Sequence, residues 1–105
     1  MRIIFDQGTP VPLAQYLSGH SIETVFKLGW SNLENGALLA LAEESFDLPI
    51  TTDQQLRYQQ NLTGRKLSIL VLMTTSWPII RASTSKITEA LDRMNPGEYC
   101  EIQFT

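Results

Sequence analysis

The chain has 105 residues, 43% hydrophobic, 18% charged and 9% aromatic, with a net charge of -3 and a pI near 5.0. That is enough chain for one core and not for two, and too apolar for a disordered segment. The acidic balance argues against a general nucleic-acid binder, and the longest apolar-dominated run, Leu67 to Met73, is far short of the roughly 20 residues of a membrane span.

In chain order, Arg2 to Phe5 is a β-branched and aromatic run that predicts strand one, and Gln7-Gly8-Thr9-Pro10 breaks it. Pro10 and Pro12 permit a helix start, Leu13, Tyr16 and Leu17 give an i, i+3, i+4 apolar face, and Gly19 is a C-cap. Ile22 to Phe26 alternates and predicts strand two, and Lys27 to Glu34 is a loop or short turn around Trp30. Asn35 is the expected N-cap of a strong helix, with Leu38, Leu41 and Ala42 on one face and Glu43 and Glu44 in the last turn. Asp47-Leu48-Pro49 turns into strand three at Ile50 to Thr52, and Thr52 or Asp53 then caps a helix through about Asn61. After Gly64, Leu67 to Met73 reads as a strand buried on both faces. Trp77-Pro78 starts another helical stretch, and Ser83 to Met94 is amphipathic until Asn95-Pro96-Gly97 stops it. Tyr99 to Phe104 alternates and closes the sheet as an edge strand. This order predicts one α/β domain over 1–105, a three-layer α/β/α sandwich with a mostly parallel sheet of about five strands.

Asp6 and Asp53 each follow an apolar run that reads as a buried strand. In an open parallel sheet the carboxyl ends of neighbouring strands form a crevice, so these carboxylates converge although 47 positions separate them. Two converging carboxylates repel and want a hard cation, Mg²⁺ or Mn²⁺, and the chain has too little His and Cys for a soft-metal site. Charge is unevenly spread: Met1 to Asp53 holds seven acids and two bases, and Glu89 to Thr105 holds four acids and one base. Between them Gln54 to Thr88 carries Arg57, Arg65, Lys66, Arg81 and Lys86 and no acid. Carboxylates for metal beside bases for phosphate suit a metal-dependent phosphodiesterase; a solvated basic face gives the same pattern. Arg57, Arg65 and Lys66 are the candidates for gripping an RNA backbone. Asp53 as an N-cap and Asp6 as a turn residue are the structural alternatives. The single cysteine, Cys100, cannot form an internal disulfide, and no amino-terminal stretch has the layout of a signal peptide, so the cytoplasm is the expected compartment.

Phe5-Asp6-Gln7, the helix from Asn35 to Ala42 and the stretch from Leu48 to Gln54 resemble the small PIN-like family DUF5615, compact relatives of VapC-type toxin ribonucleases. The resemblance covers nearly the whole chain. It implies a PIN-like fold with acids at strand ends that bind Mg²⁺ or Mn²⁺ for RNA cleavage, and a toxin role opposed by a small antitoxin protein. Asp6 matches the family's first acid and Asp53 the acid of its Thr-x-Asp motif. Asn35 stands where the family commonly has Asp, and Gln7 and Gln55 replace further acids. Asn ligates a hard cation through its carbonyl oxygen without adding charge, so metal affinity should fall. On this reading Asp6, Asp53, Glu34 and Asn35 form the catalytic shell, with Asp6 and Asp53 on the metal and Thr52, Gln54 and Thr74 orienting its waters.

The competing reading is a PIN-like module that binds RNA or protein without cutting, favoured by Asn35, Gln7 and Gln55. A phospho-receiver fits poorly, because Asp6 lacks a second acid beside it and the final strand has no Lys. Dinucleotide binding fits less well still, since no G-x-G-x-x-G follows a strand. The edge strand and the two tryptophans, Trp30 and Trp77, make a homodimer an open expectation.

Overall fold

The computed structural model describes residues 1–56 and 65–104. Its elements are β1 (Arg2–Phe5), a 3-10 helix (Val11–Tyr16), β2 (Ser21–Thr24), α1 (Asn35–Ser45), β3 (Leu48–Thr51), β4 (Ile69–Leu72), α2 (Trp77–Ala82), α3 (Thr84–Arg93) and β5 (Tyr99–Ile102). The strands form one parallel sheet in the order β2-β1-β3-β4-β5. The α/β class expected from the sequence therefore holds. Among the described residues no helix is long and apolar enough to cross a membrane.

Strand alternation divides the core into two layers. Ile3, Phe5, Leu48, Ile50, Leu70 and Leu72 face the 3-10 helix, α2 and α3, where Leu13, Ile80, Ile87 and Leu91 cover them. Ile4, Ile69 and Val71 face the opposite layer, where α1 supplies Leu38, Leu39 and Ala42. Its Ala-Leu-Leu-Ala-Leu-Ala run is rich in strong helix formers, and the helix stops where Phe46 turns extended. β3 and β4 are buried along their whole length, which is why they read as continuous apolar runs.

The two layers give the crossovers unequal hands. The β2-to-β3 and β4-to-β5 connections advance in the same direction across the sheet, yet the first carries α1 over one face and the second carries α2 and α3 over the other. Two such crossovers are of opposite hand. The β1-to-β2 connection runs backwards over the face of the 3-10 helix and shares the hand of β2-to-β3. Parallel crossovers are almost always right-handed, so β4-to-β5 is the exceptional one.

Several boundaries differ from expectation. The first helix is a short 3-10 segment, because Pro10 and Pro12 offer no N–H and Leu17 N–H bonds to Ala14 three residues back. Strand two ends at Thr24 rather than Phe26: Trp30 N–H donates to the Val25 carbonyl, folding a turn that leaves Phe26 83% exposed. Strand three begins at Leu48, so Pro49 lies inside it, where sequence reasoning makes proline a boundary. On α1 the buried residues are Leu38, Leu39 and Ala42, with Leu41 only half-buried. The helix expected to run to Asn61 lies mostly outside the described residues.

Candidate metal centre at the carboxyl edge of the sheet

Asp6 follows β1, and Thr51 and Asp53 end and follow β3, so all three stand at the carboxyl ends of adjacent strands. From β1 the chain crosses to β2 on one side, and β3 leads to β4 on the other. A crevice opens where connections diverge in this way. Alternation gives the residues a common face: Asp6 continues Ile4, and Asp53 continues Thr51, toward the α1 layer.

One hydrogen-bond chain runs through the group. The Thr51 hydroxyl donates to Asp6 Oδ2 at 2.8 Å and accepts the Asp53 N–H at 3.1 Å. Asn35 Nδ2 donates to Asp53 Oδ2 at 2.7 Å. The second oxygen of each carboxylate takes a nearby backbone donor, Gln7 N–H on Asp6 at 2.7 Å and Gln55 N–H on Asp53 at 3.0 Å. Every one of these partners is neutral. Among the described residues no basic side chain pairs with Asp6 or Asp53. The loop after β1 is tied down as well, since Thr9 donates its hydroxyl to the Ile50 carbonyl and its N–H to the Asp6 carbonyl.

Asn35 is not the N-cap of α1. Glu34 holds that position in extended backbone, and Asn35 is the first helical residue, its side chain turned to Asp53 instead of its own helix. Asp53 closes a turn through Gln55 N–H and accepts the Asn35 amide, while the helix it is expected to cap lies mostly outside the described residues.

The other sequence candidates fall elsewhere. Glu34 is exposed and takes no part in the chain. Thr52 lies one position beyond Thr51 and faces Gly8, where an added Cβ would collide with the Thr52 hydroxyl. Gln54 is exposed, and Thr74 accepts Ser76 N–H in the turn before α2. Arg65 and Lys66 are not brought to the crevice: they precede β4 at the amino edge, where Arg65 pairs with Glu43 at 3.7 Å and Lys66 N–H donates to Glu43 at 2.8 Å. There Glu43, Phe46, Asp47, Lys66, Leu67 and Met94 line a cavity of about 460 Å³. Arg57 lies outside the described residues. Trp30 packs edge-on against Phe46, and Trp77 sits against Tyr16 and the core.

Sequence reasoning missed Thr51, which is 3% exposed and bridges both acids. Alternation along β3 was the available signal, since Thr51 and not Thr52 shares the parity of Asp53.

The donor set is all oxygen and fits a hard cation. Mg²⁺ is commonly held by one or two carboxylates, with water and substrate phosphate completing the octahedron. Asp6 and Asp53 meet that minimum, although no cluster of three or more His, Cys, Asp or Glu occurs among the described residues. Beside Asp6, Gln7, Val11 and Phe26 border a hollow of about 50 Å³, and Val11 and Phe26 are 61% and 83% exposed. Compared with known proteins, the chain matches no family model, no curated protein and no solved structure.

Proposed function

We propose that the crevice holds Mg²⁺ or Mn²⁺ between Asp6 and Asp53 and hydrolyses RNA phosphodiesters, as the PIN-like resemblance implies. The observation that carries this reading is the Thr51 hydroxyl joined to the Asp6 carboxylate and to the Asp53 N–H, which ties the two acidic residues to one strand-end crevice with no described cation opposite them. A bound divalent ion supplies a water of lowered pKa and stabilises charge on the phosphoryl oxygens. The chain's own residues provide the positioning: Thr51 and Gln7 N–H orient Asp6, and Asn35 and Gln55 N–H orient Asp53. Within the same proposal the protein acts in the cytoplasm as the toxin of a toxin-antitoxin pair, with a small antitoxin protein and a second copy of the chain as its partners.

A second reading, a module that binds RNA or protein without cutting, is favoured by two observations. Asn35 already satisfies Asp53 without metal, and the exposed Phe26 and Val11 lie at the rim beside Asp6. Calorimetric titration with Mn²⁺ and Mg²⁺, alongside cleavage of a mixed RNA pool, separates the two. The nuclease reading expects metal binding and cleavage in the wild type and neither in Asp6→Ala/Asp53→Ala. A wild type that binds no metal at millimolar concentration overturns it and leaves the binding module.

A further inference from the structure

We infer that Asn35 stands in for a cation at Asp53, so that the crevice folds without metal and a cation there competes with the Asn35 hydrogen bond. The first half rests on the contact itself, and the second on the metal reading proposed above. A half-buried carboxylate with no basic partner among the described residues needs donors aimed at its charge. Asn35 delivers its amide N–H at 2.7 Å, the short end of the range for a bond to an ionised acceptor. Only the nitrogen of the amide suits that position, because an oxygen so close to Asp53 Oδ2 would be repelled.

The amide is also anchored. Asn35 opens α1, which is pinned to the sheet through buried Leu38, Leu39 and Ala42. A hard cation would draw on Asp53 Oδ2, whose electron density Asn35 already shares, while Oδ1 stays with Gln55 N–H. The side chain is therefore a resident competitor for the metal. An aspartate at this position would reverse the arrangement, placing a third carboxylate against Asp53 and requiring a cation between them. Its place in the first turn of α1 favours an anion through the helix dipole, so the repulsion comes from the crevice and not from the helix.

The test compares wild type, Asn35→Asp and Asn35→Ala by thermal melting in EDTA and in millimolar MnCl2, with Mn²⁺ affinity measured by calorimetry. Asn35→Asp is expected to gain more in melting temperature from Mn²⁺ than the wild type does, and to bind Mn²⁺ about ten-fold more tightly or better, since the number of charged ligands sets the affinity of such sites. Asn35→Ala, which removes the donor without adding charge, is expected to melt below the wild type in EDTA. If the wild type responds to Mn²⁺ and Asn35→Asp responds no more strongly, Asn35 is not a cation substitute, and the metal site survives. If neither protein responds, the metal reading falls and takes the competitor role with it. Asn35→Ala melting with the wild type in EDTA overturns the inference from the other side.

Discussion

At the amino edge of the sheet Glu43 takes the Lys66 N–H at 2.8 Å and the Arg65 guanidinium at 3.7 Å, whereas at the carboxyl edge Asp6 and Asp53 take, among the described residues, only hydroxyl, amide and backbone donors. An acid matched by a base is electrostatically spent, and its geometry is explained by stability. Acids held by neutral groups are oriented but keep their charge, so their field remains available to a ligand. Among the described residues the amino edge holds a cavity of about 460 Å³, and the carboxyl edge holds the acids without a basic partner. Charge is the better guide to chemistry here, because a cavity can arise wherever loops meet, while two neighbouring carboxylates with no basic partner among the described residues need a reason to persist.

The largest expected effect at the carboxyl edge comes from Thr51→Val, which keeps the shape and removes the hydroxyl. Asp6 loses its donor and the Asp53 N–H its acceptor at a buried position, so urea unfolding should show a loss of about 2–3 kcal/mol. A loss below about 0.5 kcal/mol would mean that solvent replaces the hydroxyl and that the two acids are not held as one unit.

The amino edge should behave differently in a smaller measurement. A double-mutant cycle on Glu43→Ala and Arg65→Ala should return a coupling of about 0.5–1 kcal/mol, fading as NaCl is raised. The cost of Thr51→Val should hardly change over the same salt range, since its bonds join neutral donors to the site. Equal salt sensitivity at both edges would erase the contrast.

The smallest effect asks whether negative potential is confined to the crevice. Burial pushes the Cys100 thiol above its ordinary value of 9.0, and Glu98 and Glu101 push it the same way. Iodoacetamide at pH 8 should therefore modify Cys100 more slowly than a free cysteine, and Glu98→Gln should restore about two-fold of the rate. The sign for stability follows: a thiol whose folded value is raised supports folding at low pH, and that support is lost as pH rises through 9.0 and beyond. An unchanged rate in Glu98→Gln would leave burial and Glu101 as the causes.

Much of the fold was legible because strands buried on both faces and a leucine-alanine helix announce themselves by composition. Asp6 and Asp53 were legible as strand-end acids. Asn35 was legible as a polar helix start and illegible as a donor to Asp53, since contacts between a helix start and a strand end depend on register and not on spacing. Arg65 and Lys66 looked like neighbours of the crevice because they follow Asp53 in sequence, yet by Arg65 the chain has crossed to the opposite edge of the sheet. Thr51 is easily passed over because it reads as strand interior and Thr52, next to Asp53, as the supporting hydroxyl, although Thr51 shares the parity of Asp53.

The parallel register has a consequence for how the molecule is made. β1 pairs Ile3 with Ile22 and with Leu48, so no strand meets its neighbour through a tight hairpin. Asp6 reaches Thr51 only after the chain has closed the long loop that carries β2 and α1. Such closures cost little more entropy as they lengthen, yet they slow folding, because nothing local rewards the search. Among the described residues every side chain in the crevice network lies between Asp6 and Asp53, and β4, α2, α3 and β5 contribute none. On the ribosome the residues of the crevice are thus complete when the chain is half made, but β3 has no partner along one side until Ile69–Leu72 emerges. The chemistry is written early in synthesis and assembled late.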